Sequence, residues 1–266
     1  MDSSSASFVS LEPSARLRPF VVALHHHSGP PPASAYRRLP GPFAALIVHG
    51  GEGGHWRRAE EVSWRPHPRV AVQGLFTRWS YALEAPGRNY SIVLIEPWAL
   101  ETLLGVPAAA TVDQVLDLEE WRPALSAKLG AMGAGGDNLT RICTLLTSLV
   151  EPSTRSDLAA PLSLIKRESG AARVTAAAAL AGRSDRSLRR MFQSGIGVSP
   201  KKWCEIERFA ANLRRLHPNP WTDEGAAPDY FDQAHEIREF RSMAGITPGA
   251  YRREKLMGDR RVFAFG

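Results

Sequence analysis

Cysteine and long apolar runs are scarce in this chain. Its 266 residues include only two cysteines, Cys143 and Cys204, far apart in the sequence. That scarcity excludes a zinc site built from cysteines and argues against a disulfide framework, so we expect a reducing, cytoplasmic compartment. No apolar run reaches the roughly 18 residues that a membrane-spanning helix needs. Residues 1–10, MDSSSASFVS, lack the segments of a signal peptide. We therefore expect a soluble protein with no membrane partner.

Signatures of catalysis and of cofactor binding are also missing. No Ser/His/Asp set or carboxylate pair stands out. His25 and His27 form an HxH pair, but residues 28–34, SGPPPAS, supply no carboxylate for a metal site. Residues 51–54, GEGG, lack the Lys-Ser/Thr of a phosphate loop, and a hairpin turn is the better interpretation. We expect no enzyme activity, no metal and no cofactor.

Positive charge is concentrated in the C-terminal part. Residues 1–160 carry 14 basic and 15 acidic side chains, whereas residues 161–266 carry 19 and 12. The whole excess of +6 therefore belongs to the second part. A basic domain attached to a near-neutral one is typical of a protein with a polyanionic partner.

The first part of the chain reads as a β-rich domain with trailing helices. Gly/Pro clusters separate four apolar runs that predict strands of an antiparallel sheet or small barrel: residues 20–24, 43–49, 69–76 and 90–97. Pro97 and Gly105 suit the start and the end of a short helix. Further helices are expected over 112–132 and 138–150. After a linker at 151–160 the pattern is helical throughout.

A repeat occupies the second part. Residues 190–203, RMFQSGIGVSPKKW, match residues 238–251, REFRSMAGITPGAY, at a constant offset of 48. Eight positions agree: Arg190/Arg238, Phe192/Phe240, Ser194/Ser242, Gly197/Gly245, Val198/Ile246, Ser199/Thr247, Pro200/Pro248 and Trp203/Tyr251. Such a period indicates a duplicated supersecondary unit.

Each copy has the outline of a helix-turn-helix unit. Residues 174–182 predict a helix ending at a glycine, and Ser184 is a good N-cap for a second helix with Leu188, Met191 and Phe192 on its apolar face. The offset places the corresponding helix at 232–240. GVSP and GITP then predict that each recognition helix ends at a glycine in the left-handed conformation and that a new helix begins at the proline. The helix after GVSP is expected to span 201–216. The positions expected to contact DNA are Arg186, Ser187, Arg189 and Arg190 in the first unit and Gln233, Ala234, His235 and Arg238 in the second.

Residues 160–255 resemble the DNA-binding domain of AraC-type (AraC/XylS) transcriptional regulators, through GVSP-x2-W, GITP-x2-Y and YFDQAH-x2-REF. The first part is similar to the cupin-like domain of one AraC subgroup, through YRRLP, VQGLFTRW and IEPWALETLLG. The resemblance implies an α+β protein: an irregular N-terminus (1–19), a cupin-like sensor or dimerisation domain (20–150), a linker (151–160), an all-α domain with two helix-turn-helix units (161–256) and a tail (257–266).

The function implied is sequence-specific transcription regulation, with two recognition helices entering adjacent major grooves of double-stranded DNA. A small-molecule effector, a second copy of the chain and RNA polymerase are the further partners that the resemblance suggests. Two alternatives stay open. One is a cupin-like metal or small-molecule enzyme with a DNA-binding tail, and the other is a degenerate regulator that reads one half-site.

The second unit departs from the family pattern. Gly225 and Pro228 interrupt the helix before its turn, and Glu236 stands at the core position that Leu188 occupies in the first unit. In the first unit, Arg183 replaces an apolar turn residue. We expect the first unit to be the sounder DNA reader.

Replacing Glu236 by Leu should therefore stabilise the protein by about 1–3 kcal/mol, because a poorly satisfied carboxylate would leave the core. A denaturant melt against the parent protein measures the change. An earlier melt of the Glu236→Leu protein would show that the second unit is not compromised at this position.

Overall fold

The four apolar runs predicted as strands do form strands, and all four pair within one sheet. The computed structural model describes residues 7–30, 34–151, 156–216, 234–256 and 262–263. The strands are β1 (Ser7–Leu11), β2 (Val21–Ser28), β3 (Tyr36–Arg38), β4 (Ala44–His49), β5 (His55–Arg58), β6 (Arg65–Pro66), β7 (Val70–Gln73), β8 (Ser80–Leu83), β9 (Asn89–Ile95), β10 (Val115–Asp117) and β11 (Val262–Phe263). They make a six-stranded sheet in the order β1-β2-β9-β4-β7-β10 and a five-stranded sheet in the order β11-β3-β8-β5-β6.

The six-stranded sheet is covered on both faces. Successive side chains of a strand point to opposite faces, so Leu46 and Val48 of β4 pack toward the helices that follow the sheet. Ala45 and Ile47 of the same strand pack toward Trp56 of the second sheet. Because every residue of β4 is buried, the strand reads as a continuous apolar run, which is why it was predictable.

The second sheet was not predicted. Its strands have two to four residues, too few for a period of two to show in the sequence. They are rich in Arg, Trp and Tyr rather than in aliphatic residues. The loop containing GEGG leads from β4 in one sheet to β5 in the other, so the expected hairpin turn is wrong.

The helices are α1 (Leu100–Leu104), α2 (Ala108–Thr111), α3 (Pro123–Met132), α4 (Asn138–Leu149), α5 (Ala159–Arg167), α6 (Val174–Leu180), α7 (Asp185–Ile196), α8 (Pro200–Leu216), α9 (Ala234–Ala244) and α10 (Pro248–Leu256). Pro97 begins a 3-10 turn ahead of α1, and Gly105 ends α1 in the left-handed conformation, as predicted. The fold class expected from the sequence is confirmed: a β-rich first part precedes a helical second part.

Three local expectations fail. A single helix over 112–132 is wrong because Val115–Asp117 pairs with β7 and the helix begins only at Pro123, whose fixed φ suits a helix start. The N-terminal residues are not wholly irregular, since Ser7–Leu11 completes the sheet edge beside β2. Within the segment expected to be a tail, Val262–Phe263 adds a parallel strand to β3. The domain boundaries themselves stay predictions.

The two repeats end in the same backbone geometry. Gly197 and Gly245 have φ of 78° and 72°, values that only glycine adopts readily. The hydroxyls of Ser199 and Thr247 then accept hydrogen bonds from the backbone N–H three residues on, at 3.2 Å in both copies. Each Ser/Thr-Pro pair therefore caps the following helix, as the sequence predicted.

The helical part shares its core with the β-rich part. Leu39 and Leu75, from the loops beside the second sheet, are buried in the cluster formed by α5–α10. The backbone N–H of Trp79 donates to the carbonyl of Met243 at 2.8 Å, and Lys166 of α5 pairs with Glu96 at 3.4 Å. The contacts reach both helix-turn-helix units.

Glu207, on α8, is buried in this region without compensation. Its side chain is 1% exposed, and neither carboxylate oxygen has a hydrogen-bond partner in the described part of the chain. Burial raises the pKa of Glu207 to about 7, although Lys166 and Arg214 act in the opposite direction. Since the pKa rises on folding from 4.5, the folded protein binds more protons than the unfolded chain between pH 4.5 and 7. Stability is therefore lost as pH rises through that window.

Replacing Glu207 by Gln should stabilise the protein at pH 8, by an amount on the order of 3 kcal/mol, and should have a much smaller effect at pH 5. Denaturant melts of the parent and the Glu207→Gln protein at the two pH values measure this difference. An equal effect at both values would show that the carboxylate is satisfied when ionised.

Candidate nucleic-acid interface

Helix α7 is positioned by its cap and by its apolar face. The hydroxyl of Ser184 accepts a hydrogen bond from the backbone N–H of Ser187 at 3.2 Å, as the sequence predicted. Leu188 and Phe192 are fully buried, whereas Met191 is only partly buried. The opposite side of the helix is thereby turned to solvent.

The basic side chains of α7 occupy that solvent side. Arg186, Arg189 and Arg190 are exposed, while Ser187 is half-buried. None of the three arginines forms an ion pair with an acidic residue in the described ranges. Three guanidinium groups on one helix, with no ion pair to an acidic residue in the described ranges, present the donors that phosphate oxygens and guanine edges accept.

Helix α9 repeats this arrangement in the part that the structure describes. Arg238 is exposed and Phe240 is buried, as are their counterparts Arg190 and Phe192. Ala234 begins the helix. Gln233 and the side chain of His235 lie outside the described residues, as do Gly225, Pro228 and the side chain of Glu236. Their roles stay predictions.

Sequence reasoning missed the contact that joins the two units. Arg208 of α8 bonds both carboxylate oxygens of Glu239, at 3.1 and 3.2 Å, and also donates to the carbonyl of Gly170. Gly170 lies between α5 and α6, so one guanidinium links the turn that leads into the first unit, the connecting helix and α9. No repeat signal could reveal Arg208, because it lies between the two copies.

The unexpected residue at the first turn is accommodated at the surface. Arg183, which replaces an apolar residue, is exposed and pairs with Asp157 at 3.3 Å. An exposed pair of this kind contributes little to stability. The substitution therefore leaves the packing of α7 on α6 intact.

The described residues contain neither a cluster of metal ligands nor a membrane-spanning helix. Over those ranges, no group of three or more His, Cys, Asp or Glu side chains could hold a metal ion. Helices long and apolar enough to cross a membrane are likewise absent from the described ranges. Cys143 and Cys204 are both free and buried.

Residues 177–254 match the family model described as a helix-turn-helix domain, and the match spans both repeated units. This segment is an AraC-type helix-turn-helix domain. The chain thus contains the DNA-binding domain of a transcriptional regulator, which confirms the resemblance found in the sequence. Comparison with curated protein sequences gives no significant match.

Solved structures of two proteins are similar to most of the chain at low identity. ToxT from Vibrio cholerae O395 is 10% identical, over 82% of this chain and 95% of that one, with a TM-score of 0.45. Unsaturated fatty acid bound ToxT from Vibrio cholerae strain SCE256 is 9% identical, over 91% and 96%, with a TM-score of 0.48. The AraC-like transcriptional activator CuxR is 14% identical, over 71% and 76%, with a TM-score of 0.27.

Single replacements of Arg186, Arg189 or Arg190 by Ala should weaken binding to duplex DNA while leaving the thermal midpoint unchanged, because the three side chains are exposed. Loss of a base contact should cost about 1–3 kcal/mol and relax preference at one position. Fluorescence titrations with a selected DNA sequence measure the effect.

Arg141, exposed on α4 of the first part, supplies the matched control. Arg141→Ala removes the same charge from a helix that packs in the core of the first part, and it should leave DNA affinity nearly unchanged. Three α7 variants that bind as tightly as the parent would refute the assignment of α7 as a recognition helix.

Proposed function

We propose that this chain regulates transcription by reading two adjacent major grooves of duplex DNA with α7 and α9. The first part senses an effector or mediates dimerisation in this proposal. The DNA-contacting set is the one expected from the sequence: Arg186, Ser187, Arg189 and Arg190, with Gln233, Ala234, His235 and Arg238. Of these, Ser187 serves the helix cap through its backbone N–H, which leaves its hydroxyl for phosphate.

The observation that carries the proposal is the matched exposure of the two copies. Arg190 and Arg238 are both exposed, whereas Trp203 and Tyr251, the aromatic residues after each exit, are 1% and 0% exposed. The duplication thus keeps the same core and the same basic surface position in both units. An arginine that only served solubility would not need to stand at the same position of both repeated units.

A fixed relation between the units supports binding of both to one duplex. Helix α8 follows the first unit directly, and its Arg208 bonds Glu239 of α9 in the second unit. Phe209 of α8 also packs on Phe240, with ring centroids 5.1 Å apart. Two recognition helices held in this way can meet half-sites at one spacing and not at others.

Two contacts of the first part support an influence on both units. Trp79 contacts the exit of the second unit at Gly245, and Val112 contacts the exit of the first at Gly197. A ligand or a partner copy that shifts these contacts would alter the relation between α7 and α9. RNA polymerase remains a proposed partner of the DNA-bound form.

The test begins with selection of bound sequences from random DNA. Two half-sites about 10–10.5 base pairs apart, one turn of the duplex, should be recovered. Insertion of half a turn between them should weaken binding by at least about tenfold. Affinity should also fall by orders of magnitude between about 50 and 200 mM salt, as expected for 6–10 phosphate contacts.

Arg238→Ala separates two-unit from one-unit reading. It should weaken binding to the full site and leave binding to the first half-site unchanged, whereas Arg190→Ala should weaken both. A full site that tolerates both the insertion and Arg238→Ala would show that only the first unit reads DNA. Affinity that does not respond to salt would contradict DNA binding through these arginines altogether.

A further inference from the structure

A small cavity lies between the two sheets of the first part, at the end where β3, β4, β8 and β9 meet. It has a volume of about 50 Å³, counted as the space open to the centre of a water molecule. Since one water needs about 10–15 Å³ on this measure, the cavity has room for a molecule of a few heavy atoms. Tyr36, Arg38, His49, Glu84, Arg88 and Tyr90 are among its lining residues.

Arg38 is the unusual member of this lining. The residue is 5% exposed, and its guanidinium donates from Nη1 to Gln73 at 2.6 Å and from Nε to Ser80 at 3.1 Å. Its third nitrogen, Nη2, is buried with no acceptor among the residues that the structure describes. Burial lowers the pKa of Arg38 to about 10, so the group stays charged at neutral pH. A buried cation of this kind ordinarily has an anionic partner.

The other charges of the cavity cancel one another. Glu84 pairs with Arg88 at 3.4 Å and accepts a hydrogen bond from the hydroxyl of Tyr36 at 2.9 Å. Burial lowers the pKa of His49 to about 4 and that of His67 well below its usual value, so both imidazoles are neutral at pH 7. Glu52, at the rim, is exposed. One positive charge is left inside without an anionic partner among the described residues, on Arg38, whose guanidinium also lies over the ring of Phe76 at 4.8 Å.

We propose that this cavity binds a small organic monocarboxylate, with the carboxylate on Nη2 of Arg38. A guanidinium presents planar N–H donors that match a carboxylate. Ile47, Ala82 and Ile92 line the same cavity. Their side chains provide an apolar surface against which the hydrocarbon part of the ligand can pack. A single unmatched cation favours a monoanion over a dianion such as phosphate. The inference rests on the proposed function, because the ligand has a regulatory role only if the second part binds DNA.

The site lies one residue from two of the contacts between the first part and the helical part. Leu39, next to Arg38, is buried in the core of the helical part. Trp79, next to the Ser80 that accepts from Arg38, bonds the backbone of Met243. A carboxylate that binds the Arg38 guanidinium therefore acts on the end of β3 and the start of β8, next to the residues that contact the helical part.

Propionate and its uncharged isostere propionamide test the proposal in the full-length protein at constant ionic strength. Propionate should raise the thermal midpoint with increasing concentration, and propionamide should not. Calorimetric titration should give a dissociation constant at least about tenfold larger for Arg38→Met than for the parent. Arg69→Met, which removes an exposed arginine just before β7 that is not among the residues lining the cavity, should bind propionate like the parent.

Equal effects of propionate and propionamide, or propionate binding retained by Arg38→Met, would overturn the site. Tighter binding of phosphate than of propionate would refute the proposed preference of the cavity for a monoanion. If Arg38→Met does not fold, the comparison of propionate with propionamide in the parent decides alone. DNA titrations of the same samples keep the two proposals apart: salt-sensitive DNA binding without a propionate effect refutes the cavity site only.

Discussion

The structure depends on two glycines that must lack a side chain for two independent reasons. Gly197 and Gly245 each leave a recognition helix at positive φ, which a larger residue adopts only with strain. Each also touches the β-rich part: a Cβ on Gly197 would lie 2.9 Å from Cα of Ala109, and one on Gly245 would enter the ring of Trp79. The two glycines that end the recognition helices therefore also form the contact between the DNA-binding part and the β-rich part.

Two neighbouring charged side chains of α8, one half-buried and one buried, have different consequences. Arg208 bonds Glu239 of α9 on one side and the carbonyl of Gly170, in the turn before the first unit, on the other. Glu207, its neighbour on α8, has no hydrogen-bond partner within the described residues. A satisfied ion pair fixes geometry, whereas an unsatisfied buried carboxylate only lowers stability. Helix α8 therefore carries an ion pair that orients α9 beside a carboxylate that destabilises the fold.

Much of the fold was predictable where the sequence carries a period. The apolar runs predicted β2, β4, β7 and β9, and the offset of 48 predicted the paired exits, the caps of α8 and α10 and the buried aromatics Trp203 and Tyr251. The second sheet was missed because its strands are too short to show alternation. Part of the candidate interface followed from the repeat, namely Arg190 and Arg238. The roles of Arg38 and Arg208 could not follow from it, because burial and distant partners give these arginines their significance.

The shared core also sets an order for synthesis. Leu39 and Leu75 are made long before Tyr251, yet the three belong to one buried cluster. The β-rich part leaves the ribosome first and can fold while the helical part is still being made. The helices then complete their core on a surface that is already present, and the long-range contacts that would slow folding of a free chain are formed against a folded partner. The N-terminal part is thus a template for the DNA-binding part as well as its neighbour.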